Sequence, residues 1–392
     1  MSIKKLLLSA LLLTTTGFAY AQQTTEDYIK IDDLVGDNAI VAGVDEFDID
    51  DEDTYGKLIN INLINSSPWV AFQFDLWIPE EVEIGFVDGD PLIWNTERLT
   101  YKKSGKTKDF SYAFAQQDDG EDEDGNKYKV WRIVAYNDLN SAIKSAAEND
   151  DDPAIFQIHL FATDQATTGT YTAYVKDAIL SNSDSEIDED HPVVTGASCP
   201  MKESSFKIQI NAKVGKGGYG TFSWPRDVDF TDVEGVEEVY VAKGAAVNGW
   251  LHLDPIADKK VPAGTGVFIK GTAGATVNPE TTTEEVATLA SSLGQTSEEP
   301  YKAGAGVFAL ATKNGKTALY PVAEGVEIPK YKAYMTGESG AKFIDFGDTA
   351  TSIDALDIAE EDGDIYTLGG QKVQKTTMKG VYIKNGQKVV VK

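Results

Sequence analysis

Four tryptophans, Trp69, Trp77, Trp94 and Trp250, are the side chains best suited to holding a ligand. A flat indole covers the apolar face of a pyranose, so such rings point to carbohydrate chemistry. Trp69 and Trp77 fall on the same face of one extended run. Eight residues separate them, about 26 Å at strand rise, so one small sugar cannot touch both. Trp94 and Trp250 stand in turn-like surroundings that favour exposure. Trp131, which shares a face with Ile133, and Trp224, at a strand start, read as core. Ordinary packing is the competing reading for each of these rings.

The acids offer a second chemistry. Asp118-Asp119-Gly120-Glu121-Asp122-Glu123-Asp124-Gly125-Asn126 places oxygen ligands around a turn glycine, and Asp118, Asp122 and Asp124 are its calcium candidates. With Gly125 at the sixth position of an EF-hand loop, the first ligand becomes Gly120 and the twelfth Trp131, and both fail. The expected state is therefore a solvated acidic hairpin tip with no dedicated metal site. The same holds for Asp150-Asp151-Asp152 and for Asp184 to Asp190.

Catalytic patterns are missing. His159, His191 and His252 lack metal spacing, and His159, beside Leu160 and Phe161, reads as a sheet histidine. Gly264-Thr265-Gly266 with Lys270-Gly271 encloses the strand Val267-Phe268-Ile269, whereas a phosphate loop opens a helix. Neither a zinc-protease helix nor a nucleophile elbow occurs. No stretch marks the two carboxylates a glycoside hydrolase needs. Cys199 is the single cysteine, so no intramolecular disulfide can form, and a structural thiol is expected. No enzyme activity and no cofactor are expected.

Sheets must position whatever site exists. In Trp69 to Pro79 the residues Val70, Phe72, Phe74, Leu76 and Ile78 alternate with Trp69, Ala71, Gln73, Asp75 and Trp77. That period of two puts the apolar set on a core face, and Pro79 ends the strand. Further strands are expected at Tyr28 to Ile31, Tyr55 to Asn65, Glu83 to Val87, Phe110 to Phe114, Tyr128 to Tyr136, Ile155 to Phe161, Thr170 to Leu180 and Ser204 to Ile210. Leu139–Ala147 is one helical candidate, and Thr283 to Ser292 could be a second short helix. Short strands at regular spacing with turns between them give an all-β fold.

The organisation reads as a signal peptide over 1–21, a β-sandwich over 27–213, a second β-rich domain over 214–348, an acidic linker over 349–363 and a β tail over 364–392. Lys4, Lys5, the apolar Leu6 to Leu13 and Ala19-Tyr20-Ala21 form a secretory leader, with cleavage expected after Ala21. It is too short to span a bilayer, and no other long apolar run occurs, so no transmembrane segment is expected. Without Lys4 and Lys5 the chain has 33 basic against 63 acidic residues. Such a charge excludes phosphate-backbone binding to nucleic acid and opposes anionic membranes. In the tail, Asn385-Gly386 between alternating strands is a hairpin signal.

Ile59 to Pro79, then Val134-Ala135-Tyr136, Phe156-Gln157-Ile158 and Gly169-Thr170-Tyr171-Thr172, resemble the cohesin-like β-sandwich superfamily over Ile31 to Ile210. Its members include cohesins and carbohydrate-binding modules. Tyr366, Leu368, Gly370, Val373, Gly380-Val381-Tyr382 and the basic end Lys388 to Lys392 resemble a type IX secretion sorting domain. That resemblance implies export across an outer membrane, with the tail read by the secretion machinery. The expected function is a secreted or cell-surface, non-catalytic binding protein whose sandwich recognises a polysaccharide or a surface protein. A structural or adhesive spacer is the alternative, and a glycoside hydrolase a third reading.

Overall fold

The computed structural model describes residues 23–48 and 56–347, apart from 88, 95–96, 150, 164, 184–193, 297–298 and 338–340, together with short tail strands within 365–391. The expected leader, the acidic run Asp184 to Asp190, His191 and the expected linker lie outside the described residues. The described chain is all-β. Its helical turns are the short 3-10 turns Gly36–Asn38 and Ala146–Asn149. Both helical candidates are corrected. Only Ala146 and Ala147 of Leu139–Ala147 enter a helical turn, and Thr283 to Ser292 is irregular chain. Each stretch was too short to nucleate a helix without an apolar face to bury.

The longer strands of the first half are β1 (Tyr28–Ile31), β2 (Lys57–Ile64), β3 (Ala71–Pro79), β4 (Val82–Ile84), β5 (Ser111–Gln116), β6 (Lys127–Tyr136), β7 (Ala154–Ala162), β8 (Gly169–Ser183) and β9 (Lys202–Gln209). They form two sheets. In one, β3 lies between β6 and β8, antiparallel to both. Outside them, β5 pairs with β6 and β9 with the first half of β8. The other sheet runs β1-β2-β7-β4. Phe72, Phe74, Leu76 and Ile78 of β3 are at most 1 % exposed. Phe72 meets Phe156 of β7 edge-on, ring centroids 5.8 Å apart, which is where the two sheets touch. The apolar alternation thus built the strand it forecast. The strand opens at Ala71, however, and Trp69 and Val70 belong to the turn before it.

The second half contains β10 (Tyr219–Phe222), β11 (Val236–Val247), β12 (Trp250–Pro255), β13 (Val267–Gly271), β14 (Val307–Lys313), β15 (Lys316–Pro321) and β16 (Ala333–Thr336). One sheet runs β10-β13-β11-β12, and β14 pairs with both β15 and β16 in another. The two halves share one apolar cluster. Ile210, Ala212 and Val214 are buried at the junction, and the cluster continues through Phe222, Trp224 and Phe230. Trp224 packs on Tyr331 at 4.3 Å, and Lys330 pairs with Glu46 across the junction at 2.7 Å. Burial on this scale makes the junction a packed joint instead of a tether. In the tail, Gly380–Lys384 pairs with Gln387–Val391, with Lys384 opposite Gln387, the register of a two-residue hairpin loop.

Candidate functional site

The outer face of the β3 sheet carries an aromatic group where β3, β6 and β8 run side by side. Trp77 lies opposite Val130 on one side and Tyr174 on the other. Directly opposed residues share a sheet face, so all three point away from the core. Tyr128 joins them, 5.6 Å from Trp77 and 5.5 Å from Tyr174 by ring centroids. The Lys176 ammonium sits 3.6 Å over the Trp77 ring and 4.3 Å over Tyr174, a cation–π arrangement. The chain before β6 folds back over this group. A Cβ at Gly120 would stand 2.4 Å from the Trp77 ring, so only glycine fits there. Trp77 is therefore covered by a lysine and a backbone, and its indole nitrogen is buried without a hydrogen-bond partner.

Asp122 organises that covering hairpin. Its carboxylate accepts from the Asn126 amide nitrogen at 2.9 Å, the Asn126 side chain at 2.9 Å, the Asp124 backbone at 3.0 Å and the Tyr128 hydroxyl at 2.8 Å. These donors, the Asn126 side chain foremost, hold its pKa down to about 2. Burial and then the bond to Asp122 push the Tyr128 hydroxyl upward. A carboxylate has about four acceptor positions, and here the hairpin uses them all. The Asp122 oxygens are thus already occupied by donors of their own hairpin. Asp124 joins it at the same groove, whereas Asp118 is exposed outside it. Among the described residues no three His, Cys, Asp or Glu side chains gather as metal ligands.

Beside the covered tryptophan lies an open groove of about 380 Å³. Its walls are the turn Pro79 to Glu81 after β3, the hairpin Asp122 to Tyr128 and the start of β8 from Thr170 to Tyr174. Burial pushes the Glu81 carboxyl above its ordinary value, and the adjacent Glu80 charge adds to this. Burial also raises the Tyr171 hydroxyl, which donates to the Thr167 carbonyl at 3.0 Å. Two half-buried tyrosines, Tyr171 and Tyr174, with threonine hydroxyls and carboxylate acceptors around a concave surface can hold a polar ligand with apolar faces. A larger cavity, about 660 Å³, lies in the second half. Asp229, Asp232, Glu234 and Glu280 line it with threonines and no aromatic ring, so like charges face one another there.

The four candidate tryptophans occupy separate places. Trp69 is 8 % exposed and is no platform. Its indole donates to Asp27 at 2.7 Å, and Asp27 also accepts from the Ser66 backbone, the Ser66 hydroxyl and the Ser67 backbone. Burial alone would raise the Asp27 carboxyl, but these donors outweigh it and hold it below its ordinary value. Trp94 pairs through its backbone with Phe156, and its ring lies outside the described side chains. Trp250 opens β12 after the Asn248-Gly249 turn; it is half-buried, with an indole nitrogen that has no partner. Trp77 stands beside the groove through its contact with Tyr128.

The residues that line the groove, Tyr128, Tyr171, Tyr174 and Glu81, were missed by attention to tryptophan. The usable signal was Thr170-Tyr171-Thr172-Ala173-Tyr174, an aromatic and hydroxyl run with few apolar residues. Cys199 is half-buried, and burial, with the Asp27 charge, pushes its thiol up to about 12. It stays protonated at neutral pH and is a poor nucleophile. Comparison of the chain with family models, with curated proteins and with solved structures returned no match.

Proposed function

We propose that this protein is a non-catalytic binding protein of the cell exterior that takes a short glycan in the groove beside Trp77. The observation that carries the reading is the groove itself, which sets the half-buried Tyr171 and Tyr174 against Glu80, Glu81 and Asp124. Tyrosine rings cover the apolar faces of sugars, and carboxylates accept their hydroxyls. The raised Glu81 carboxyl favours a second reading, a glycoside hydrolase with Glu81 as general acid. Asp122 is committed to four internal donors and is a poor nucleophile or base for that chemistry. The binding reading therefore stands first.

A glycan array probed with the purified protein tests it. Binding is expected, unchanged by EDTA, and weakened at least tenfold by Tyr174→Ala, about 1.4 kcal/mol. Equal binding by Tyr174→Ala moves the ligand out of the groove. Silence across the array shifts weight to a protein partner or a spacer role, and release of reducing sugar favours the hydrolase.

Surface delivery is proposed from the leader and the tail. Among the described residues no helix is long and apolar enough to cross a membrane. Deleting residues 364–392 is expected to abolish surface labelling of intact cells while the remaining chain keeps its melting transition. Undiminished labelling would remove the sorting role from the tail.

A further inference from the structure

In a chain of net charge −28, one cavity of the second half is lined by lysines and by no acid. It measures about 370 Å³ and lies between β10, β14 and the segment leading into β16. Lys213, Lys216 and Lys332 supply its charge, and Tyr219, Leu310 and Pro329 supply apolar wall. Among the described residues none of the three ammonium groups forms an ion pair.

The surrounding chain fixes these groups. Lys332 donates its backbone N–H to the Thr296 hydroxyl at 2.7 Å, and its carbonyl accepts from the Thr296 backbone at 2.7 Å. Lys332 is half-buried between the buried Tyr331 and Ala333, and it lines the cavity from the segment leading into β16. Lys216 rides on the loop Gly215-Lys216-Gly217-Gly218. That loop is closed by Gly215 N–H to Tyr219 O at 2.8 Å and Gly218 N–H to Gly215 O at 3.0 Å. It presses on the β14–β15 hairpin so closely that a Cβ at Gly217 would stand 1.6 Å from the Thr317 hydroxyl oxygen. Burial, and then the charge of Lys213, push the Lys332 ammonium below its ordinary value. The fold thus keeps a poorly solvated cation beside a second one, an arrangement that costs stability unless an anion completes it.

We propose that this cavity binds a small organic anion of the phosphate or sulfate class, with the oxyanion held by Lys213, Lys216 and Lys332 and the organic body lying on Tyr219 and Leu310. A phosphate ester, close to doubly charged at neutral pH, or a singly charged sulfate ester presents oxygens that accept several hydrogen bonds from the three ammonium groups at once. The volume suits a monosaccharide-sized ligand and exceeds what a bare oxyanion fills. The acidic surface repels anions at long range, so recognition rests on contact inside the cavity. This site is separate from the tyrosine groove of the first half, and neither assignment depends on the other.

Titration calorimetry of the full chain with glucose, glucose 6-phosphate, glucose 6-sulfate and inorganic phosphate tests the assignment. Glucose 6-phosphate and glucose 6-sulfate are expected to bind at least tenfold more tightly than glucose, and more tightly than inorganic phosphate. Lys332→Met preserves the stem and removes a desolvated charge, so its melting temperature should be unchanged or higher while anion affinity falls at least tenfold. Lys213→Gln with Lys216→Gln, both at exposed positions, provides a second variant and should weaken binding by a similar factor. Sugar phosphates that bind no better than glucose, or variants that bind them as well as the parent, would overturn the oxyanion site. Inorganic phosphate binding as tightly as glucose 6-phosphate would overturn the organic-body assignment.

Discussion

Phe74→Asp is expected to abolish the cooperative folding of the first half. Phe74 is fully buried at the centre of β3, opposite Ile133 and 6.0 Å from the Phe72 ring. Truncating a buried phenylalanine costs about 3–5 kcal/mol. A carboxylate left there unpaired adds several more. Together these reach the whole stability of an ordinary domain, about 5–15 kcal/mol. The next residue shows what a carboxylate needs in this sheet. Asp75 is 6 % exposed, yet it is tolerated because Arg132 meets it with two parallel bonds of 2.7 Å on the other face. Gln73→Asp, one position away and on that outer face, is the control and should shift the melting temperature only slightly. Far-UV circular dichroism on heating measures both, and a normal melt for Phe74→Asp would mean the faces of β3 are reversed. Because the core is continuous through the junction, loss of the sandwich should also loosen Trp224 and Tyr331 in the second half.

What could be read in advance follows one rule. Side-chain alternation is a local property, so β3, β6 and β7 and the core face of Phe72, Phe74 and Leu76 were legible in the sequence. Trp69 was not, because its fate depends on Asp27, a residue 42 positions away that supplies the carboxylate for its indole. Trp77 was placed on the correct face, but its cover was hidden: Gly120 and Lys176 reach it from two other segments. The acidic hairpin was expected as a solvated tip, because sequence lists its oxygen atoms and not the donors they already serve. Only the structure shows Asn126 and Tyr128 turned back onto Asp122. The groove and the lysine cavity share this origin, since each is assembled from segments far apart in the chain. Lys213 and Lys332 carry no local pattern that brings them together.

Arg98→Met is expected to destabilise the first half by about 3–5 kcal/mol. No sequence pattern singled out Arg98, yet it is fully buried. Its Nε donates to the Lys144 carbonyl at 2.9 Å, Nη1 to the Leu63 carbonyl at 2.9 Å and to the Pro153 carbonyl, and Nη2 to the Asn65 side chain at 2.7 Å. One guanidinium therefore ties the end of β2 to the segment that enters β7. Burial lowers its pKa to about 10, with Asp152 acting in the opposite sense, so it remains charged at neutral pH. Methionine can fill much of the space but donates nothing, and each buried acceptor left without a donor costs about 1–3 kcal/mol. Lysine should rescue little, because a single ammonium cannot span carbonyls arranged for a planar fork. Urea unfolding of the parent, Arg98→Met and Arg98→Lys measures the three stabilities. A loss below about 1 kcal/mol for Arg98→Met would mean that water reaches those carbonyls and takes over the donor role. A loss in the expected range, with tyrosine-groove and lysine-cavity binding unchanged in the folded fraction, would separate this buried cation that holds the fold from Lys332, whose cation is left open to a ligand.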